Sequence, residues 1–421
     1  MTAYARELQI QIDDVYSCPG NCAGCVLSAD ERRTRNPDMS TRVLDLTYER
    51  LDRYIPQLDN LSYINLTYGI GDHMRMPLEY LKNLHERGAD LLERHGYDGP
   101  KNAVFFSTSL IGKAKNLMPD LEALADHDRR VKFLPIAILD PALLYNKNFG
   151  EVYEGNISRT KALFGQVDLA INLSEEAITR ITPRELHDFA VMNDFDEVTV
   201  NWVPTRMNIA QTAQCIETLA DWLIEFESIA TKHDRISSSF APVLTRSINA
   251  VMCKSADGVE PPSLKQTIEE ILPETVRKSI QFDHFGNLLP KLEAVGDVSH
   301  GSRFDLPALG NIREGEIDEM LDQAMPGLKS RIMGIHSRSK ACMQCPNLSV
   351  CAATGFHVPT HILGDTGRDS SECPHVAAQL IDHFKQRAII TDQMPDGFDG
   401  DALAVASQAT NDAGREAVTA H

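Results

Sequence analysis

Three cysteines near the N-terminus, Cys18, Cys22 and Cys25, follow one another with the spacing C-x3-C-x2-C. Thiolates are the usual protein ligands of iron-sulfur clusters. Three thiolates on one short loop can hold three irons of a four-iron cluster, which leaves the fourth iron open to a small chelating molecule. An open iron is available for catalysis, so this spacing predicts a catalytic cluster held by the three cysteines.

Zinc is the alternative metal for such a loop. A structural zinc site normally has four ligands, often arranged in C-x2-C pairs. Neither a fourth cysteine nor a histidine lies near this loop in the sequence. The spacing therefore favours a cluster over a zinc knuckle or three unrelated thiols.

The cysteine loop directly follows a predicted strand. The run LQIQI at residues 8–12 alternates apolar and polar side chains, which is typical of a strand with one buried face. A strand followed by this cysteine motif resembles the start of the barrel in the radical S-adenosylmethionine (AdoMet) superfamily. The resemblance implies that AdoMet chelates the open iron, and that a reduced cluster cleaves it to a 5'-deoxyadenosyl radical that abstracts hydrogen from a substrate.

The rest of the N-terminal half alternates strand-like and helix-like segments, which is typical of repeated βα units around a parallel sheet. The predicted strands span residues 8–15, 61–67, 103–107, 131–139, 167–173 and 197–203. The main predicted helices span residues 77–94, 113–125, 183–192 and 209–231. The fold class is therefore α/β, and six units match the partial (β/α)6 TIM-like barrel that the resemblance implies. Barrels of this kind place their chemistry at the C-terminal ends of the strands.

The texture of the sequence changes near residue 238 to short strands, turns and loops that are rich in Gly and Pro. We therefore expect a barrel at residues 1–237 and a smaller, irregular module at residues 238–393. Residues 394–421 contain few large apolar side chains, and we expect a disordered tail there.

A second set of cysteines, Cys342, Cys345, Cys351 and Cys373, has the spacing C-x2-C-x5-C-x21-C. Four thiolates could hold every iron of a second 4Fe-4S cluster, whose role would be electron transfer or structure. Four cysteines with a C-x2-C pair suit structural zinc equally well.

Two segments that precede the second set, at residues 282–290 and 309–315, resemble with it the SPASM extension that follows many radical AdoMet barrels. A full SPASM module holds two auxiliary clusters. This chain has Lys291 and Gly355 where the family often has two further cysteines. The resemblance then implies a SPASM-like module with a single auxiliary 4Fe-4S cluster.

The ends of the later strands supply candidates for holding AdoMet. Gly71 and Asp72 stand in the place of the family's Gly-Gly-Glu motif, so the Asp72 carboxylate could accept from the AdoMet ammonium, although glycine and aspartate also favour ordinary turns. Ser107 and Asn172 lie where the family contacts the ribose and carboxylate of AdoMet, and polar residues at strand ends are common in any case. Arg206 could pair with the cofactor carboxylate or cap a surface loop.

Composition excludes some classes of partner. The chain of 421 residues has a formal net charge of -19, which argues against nucleic acid binding. No run of about 18 apolar residues and no signal peptide occur, so we expect a cytoplasmic protein without a membrane anchor.

The resemblance makes oxidation or crosslinking of a peptide or protein side chain the first functional hypothesis, with flavodoxin or ferredoxin as electron donor. The chain begins almost directly with its first strand, so a separate protein could recognise the peptide. The second hypothesis is an oxidoreductase or dehydratase of a small polar metabolite such as a sugar or aminocyclitol. A non-catalytic iron-sulfur carrier is a third, which the open iron disfavours. Tyr68, His73 and Asp140 are candidate proton acceptors for the substrate radical.

Overall fold

The described residues of the computed structural model fall into fifteen segments. They are residues 7–19, 22, 27, 39–98, 102–128, 130–145, 147–173, 175–195, 197–202, 209–230, 237–238, 263–290, 308–337, 340–349 and 381–382.

The described strands form one sheet. They are β1 (Glu7–Val15), β2 (Tyr63–Ile70), β3 (Ala103–Thr108), β4 (Lys132–Ile138), β5 (Asp168–Leu173), β6 (Glu197–Trp202), β7 (Ser237–Ser238), β8 (Ser279–Phe282), β9 (Asn287–Pro290) and β10 (Gly310–Asn311). Their spatial order is β10-β9-β8-β1-β2-β3-β4-β5-β6-β7. In this spatial order, each strand from β8 to β7 pairs in parallel with the next. Among the described strands, only the pairs β8–β9 and β9–β10 are antiparallel.

Helices connect the parallel strands, because parallel neighbours need a crossover connection. They are α1 (Thr41–Tyr54), α2 (Leu78–Arg94), α3 (Ala114–Ala125), α4 (Pro141–Leu144), α5 (Lys147–Phe164), α6 (Glu175–Ile178), α7 (Pro183–Met192), α8 (Ile209–Ala230), α9 (Leu264–Lys278), α10 (Ile317–Ser337) and α11 (Lys340–Gln344). Helix α7 begins with a capping box, in which Thr182 and Glu185 each bond the other's backbone N–H.

The two faces of β1 differ in character. Leu8, Ile10 and Ile12 are completely buried in the main core, which also contains the apolar face of α2. The intervening residues Gln9 and Gln11 are partly exposed and lie on the opposite, inner face of the sheet. This alternation buries one face of β1 in the main core and leaves its inner face polar.

The α/β class and the series of six parallel strands predicted from the sequence are confirmed. Four long helices, α1, α5, α9 and α10, and the place of β8 beside β1 were not predicted. Helices α9 and α10 lie where the sequence predicted only short strands, turns and loops. Because β8 lies beyond residue 238, the sheet continues across the expected division at that residue, and the division itself stays a prediction. No described helix is long and apolar enough to cross a membrane.

Candidate cofactor site

The cysteine loop leaves the C-terminal end of β1. Cys18 and Cys22 are partly exposed, and Cys25 lies outside the described residues. Tyr16 and Leu27 are buried against each other, with Cys18 and Ile70 packed around them. A cluster bound here would therefore lie next to an apolar layer, which limits the access of water to its sulfurs.

The segment that follows β2 pairs with the start of this loop. The Gly71 N–H donates to the Val15 carbonyl at 2.7 Å, and the Asp72 N–H donates to the Ser17 carbonyl at 2.8 Å. A Cβ atom on Gly71 would lie 2.5 Å from the Val15 oxygen and 2.6 Å from the Ser17 oxygen. Only glycine permits this approach, which places Asp72 beside the residues that lead into Cys18.

The Asp72 carboxylate is only partly available to a ligand. It is 4 % exposed, and its two oxygens accept from the Met74 N–H at 3.1 Å and from the Ser109 hydroxyl at 2.5 Å. A carboxylate has about four lone-pair positions, so it can accept from an ammonium group as well. A cavity of about 190 Å³ borders this carboxylate and Pro19, and Arg75 and Lys113 also line it.

The hydroxyl of Ser107 is used within the protein. It donates to the Gly71 carbonyl at 2.7 Å and lies 3.3 Å from Nδ1 of His73. Ser107 therefore holds the Gly71 segment in place from β3. Its predicted contact with AdoMet stays a prediction.

A buried ion pair lies beneath these segments. Nε2 of His73 is 3.0 Å from Oδ1 of Asp14, and both side chains are 0 % exposed. Nδ1 of His73 lies 3.0 Å from the Ser107 carbonyl, and Oδ2 of Asp14 accepts from the Tyr80 hydroxyl at 2.9 Å. Both ring nitrogens face acceptors, which favours the doubly protonated imidazolium.

The electrostatics of His73 agree with this geometry. Burial alone would lower the pKa of the imidazole, since it disfavours the charged form. The Asp14 charge and hydrogen bond, the Ser107 carbonyl and the Asp72 charge outweigh burial and raise the pKa of His73 above its usual 6.5.

Asp13 and Asp14 point to opposite faces of β1, as successive residues of a strand do. Asp13 lies opposite Gly69 and Val15 opposite Ile70, so Asp14 is the extra residue of a β-bulge. The carboxylate of Asp13 accepts from Gln11 at 2.8 Å and from Gln281 of β8 at 2.6 Å. Asp13 thus belongs to the polar inner face, whereas Asp14 reaches His73 on the other side.

The candidate proton acceptors differ in their surroundings. Tyr68 is completely buried, donates to the Leu84 carbonyl at 2.8 Å and contacts the Tyr48 hydroxyl. His73 is enclosed as described above. Asp140 follows β4 and is partly exposed, so among these three it is the side chain that a substrate could reach without rearrangement of the core.

A tyrosine that the sequence did not single out lies near the cluster loop. The hydroxyl of Tyr153 in α5 donates to the Ile138 carbonyl at the end of β4. Burial raises the pKa of Tyr153, and the negative charges of Cys22 and Asp140 raise it further. Tyr153 therefore stays neutral and protonated.

The C-terminal cysteine set is described in part. Cys342 is buried and Cys345 is partly exposed, and the Cys345 N–H donates to the Cys342 carbonyl at 3.0 Å. The Asn347 N–H lies 3.4 Å from the Cys345 sulfur. Backbone donors directed at sulfur are a feature of iron-sulfur sites, so this turn suits a thiolate ligand.

Four predicted site residues belong to the undescribed part of the chain. Outside the described residues lie Cys25, Arg206, Cys351 and Cys373. Asn172 lies in β5, but its side chain is not described. Within the described residues no group of three metal-ligating side chains converges, since only two cysteines of each set are among them.

The sequence analysis missed Asp14, Tyr80 and Ser109. The one signal for Asp14 was an acidic pair, Asp13 and Asp14, at the end of an otherwise half-apolar strand. No local pattern marks Tyr80 or Ser109, because their partners lie 66 and 37 residues away.

The fold has counterparts among solved structures. No protein-family model and no curated protein matches the chain. Native anSMEcpe with bound AdoMet and Cp18Cys peptide matches with a TM-score of 0.56 and 14 % identity, over 96 % of this chain and 99 % of that chain. Native anSMEcpe with bound AdoMet matches with a TM-score of 0.56 and 13 % identity, over 96 % of this chain and 100 % of that chain. Native anSMEcpe with bound AdoMet and Kp18Cys peptide matches with a TM-score of 0.55 and 13 % identity, over 91 % of this chain and 97 % of that chain. The chain therefore shares the fold of these structures.

Proposed function

We propose that this chain is a radical AdoMet enzyme that oxidises or crosslinks a side chain of a peptide or protein. The observation that carries the proposal is the pairing of Gly71 and Asp72 with the backbone that leads into Cys18, at the C-terminal end of β1. The shared fold adds support, because the solved anSMEcpe structures hold AdoMet together with a peptide.

In this proposal Cys18, Cys22 and Cys25 hold the AdoMet-binding cluster, and Asp72 accepts from the AdoMet ammonium. The cluster and AdoMet, when bound, supply the electron and the 5'-deoxyadenosyl radical that removes hydrogen from the substrate. The chain itself positions AdoMet through Gly71 and Asp72 and restricts water through the apolar layer beside Cys18.

Three further contacts belong to the same proposal. Ser107 and Asn172 approach the ribose or carboxylate of AdoMet from β3 and β5, and Arg206 pairs with the AdoMet carboxylate. A guanidinium suits that task because its planar fork matches a carboxylate.

The second cysteine set, Cys342, Cys345, Cys351 and Cys373, holds one auxiliary 4Fe-4S cluster in this proposal. A cluster with four protein ligands can relay electrons but cannot chelate AdoMet. A flavodoxin or ferredoxin supplies the first electron, a separate protein presents the peptide, and the enzyme works in the cytoplasm, where thiols stay reduced.

The test is AdoMet cleavage by anaerobically reconstituted protein with a chemical reductant. The wild type should form 5'-deoxyadenosine, and Cys22→Ala should form none while its auxiliary cluster remains. Cys253→Ala, which changes a cysteine outside both sets, is the control and should cleave AdoMet normally. Formation of 5'-deoxyadenosine by Cys22→Ala would contradict the proposal.

One observation favours the second candidate, an enzyme of small polar metabolites. The inner face of β1 and its neighbours carries Gln11, Asp13, Asn65, Thr67 and Gln281, whereas barrels normally fill this space with bulky apolar side chains. Transfer of deuterium from substrate into 5'-deoxyadenosine distinguishes the candidates. Deuterium should come from labelled peptides if the first candidate is right, and from labelled polyols if the second is right.

A further inference from the structure

We propose that the buried pair of Asp14 and His73 positions the cluster loop against the AdoMet-binding segment, so that His73 is a positioning residue for AdoMet cleavage. The inference rests on the proposed function and extends it to residues that touch neither the cluster nor AdoMet. It follows from three sets of contacts.

The first set closes the base of the cysteine loop. Asp14 is the bulged residue at the end of β1, four positions before Cys18. Its backbone carbonyl accepts from the Met39 N–H at 2.6 Å, at the point where the chain returns to enter α1. The entry to the loop and the exit from it are therefore tied to a single residue.

The second set fixes the side chain of that residue. The Asp14 carboxylate is held by His73 through one oxygen and by Tyr80 of α2 through the other. Each oxygen thus has a partner from a different element. Because the carboxylate is 0 % exposed, loss of either partner leaves a buried acceptor without a donor, which is costly.

The third set connects the pair to Asp72. The ring of His73 bonds the Ser107 carbonyl, and the Ser107 hydroxyl bonds the Gly71 carbonyl. Asp72 directly precedes His73 in the chain. A displacement of the imidazole therefore moves both the residue expected to bind AdoMet and the strand end that approaches it.

The groups that face the ring of His73 come from β1, β2, β3 and its own segment. Besides Asp14 on β1, the ring of His73 faces the charge of Asp72 on its own segment and the rings of Tyr68 on β2 and Phe106 on β3. An imidazolium here neutralises Asp14, and a buried carboxylate without a cation would draw in water or shift its backbone.

A His–Asp pair of the same type elsewhere provides a matched control. Nε2 of His95 is 2.9 Å from Asp52, at the end of α2 that lies away from the cysteine loop, and this pair is partly exposed. His95→Gln should lower neither AdoMet affinity nor the rate of AdoMet cleavage.

The experiment uses anaerobically reconstituted wild type, His73→Gln, Asp14→Asn, the double variant and Tyr80→Phe. We measure iron content, the dissociation constant of AdoMet, kcat and KM for AdoMet cleavage, and amide hydrogen exchange at Met39, Gly71 and Asp72. We expect normal iron content and an approximately 10- to 100-fold lower kcat for His73→Gln, since small misplacements of reacting groups cost about 100-fold. Amide exchange at the three positions should become faster.

Tyr80→Phe is the milder change, because it removes one hydroxyl and leaves the contact between His73 and Asp14 in place. It should lower kcat about two- to tenfold, the value of one hydrogen bond. The double variant should recover part of the loss of His73→Gln, because two neutral amides at positions 14 and 73 can bond each other. Recovery of kcat while iron content stays normal in every variant would indicate that the two side chains position the loop as a pair.

The outcomes separate the two proposals. A wild type that cleaves no AdoMet refutes the proposed function, and amide exchange in the variants then decides the inference alone. The positioning role is refuted if the wild type cleaves AdoMet and both His73→Gln and Tyr80→Phe behave like His95→Gln. The comparison covers kcat, AdoMet affinity and amide exchange. If His73→Gln does not fold, Tyr80→Phe decides by the same criteria.

Discussion

At the scale of residues, Asp72 combines a structural role in the protein with its proposed role in binding AdoMet. Its carboxylate caps the short 3-10 turn His73–Arg75 and accepts from Ser109. Both partners orient the carboxylate before any ligand arrives. Preorganisation of this kind lowers the entropic cost of binding.

Asp72→Ala should weaken AdoMet binding about 10- to 100-fold, since a charge-assisted hydrogen bond contributes about 1.5–3 kcal/mol. Asp72→Asn retains one acceptor oxygen and the turn cap, and should fall between the wild type and Ala. The measurement is the dissociation constant on protein with its full iron content. An unchanged constant for Ala would mean that another strand end holds the ammonium.

The pKa of His73 predicts the pH dependence of stability. Because this pKa is raised above 6.5, protonated His73 contributes fully to the free energy of unfolding below about pH 6.5. That contribution is lost as pH rises through the pKa of His73 in the folded protein. His73→Gln should cost about 3 kcal/mol of unfolding free energy at pH 6, and less at higher pH.

The control for this prediction is His85, another buried histidine. Burial lowers the pKa of His85, against smaller opposing effects of the Val131 carbonyl and Asp128. The difference in unfolding free energy between the wild type and His85→Gln should therefore shrink as pH falls below 6.5. Chemical denaturation from pH 5.5 to 9 measures both variants, and a His73→Gln effect that grows with pH would contradict the assignment.

At the scale of elements, the close approach of the β2 end to the cysteine loop depends on Gly71. Gly71→Ala would place a methyl group against two backbone carbonyls that cannot turn aside. We expect a loss of about 1–3 kcal/mol of unfolding free energy, typical of overpacking, together with weaker AdoMet binding.

Gly155→Ala is the matched control, because Gly155 lies in α5 with no atom near its Cβ position. This change should stabilise the protein by up to about 1 kcal/mol through helix propensity. Thermal unfolding and AdoMet titration of both variants test the pair. A Gly71→Ala protein that binds AdoMet like the wild type would show that the strand end tolerates a shift.

The six parallel strands could be predicted because their apolar alternation is local. Helix α5 escaped prediction because its sequence contains Gly155 and several polar residues, and tertiary packing overrides such weak propensity. The pairing of β8 with β1 was beyond reach for another reason. Four residues carry no signal of a partner that lies about 270 positions earlier in the chain.

At the scale of the whole molecule, seven of nine cysteines divide into sets of three and four. Anaerobically reconstituted protein should therefore contain about eight irons and eight sulfides per chain. Cys345→Ala should retain about four irons and some AdoMet cleavage but lose product formation. Zinc in the wild type, or about twelve irons, would contradict the single auxiliary cluster.

The candidate site was predictable where chemistry fixes spacing and unpredictable where the fold brings distant residues together. The roles proposed for the three N-terminal cysteines and for the Gly71–Asp72 segment came from motif and position, and they stay predictions. The partner of His73 did not, because Asp14 lies 59 residues away and meets it only after β1 and β2 pair. His73 was a candidate proton acceptor from sequence, and its burial instead suggests support of the loop.

The position of β1 between β2 and β8 has a consequence for synthesis on the ribosome. The strand that carries the cysteine loop is synthesised long before its second neighbour, which begins only at Ser279. At about 5–20 residues per second, the nascent chain exposes one edge of β1 for roughly 13–50 s. An unpaired edge invites aggregation, so chaperone protection during that interval should improve the yield of protein able to accept its cluster.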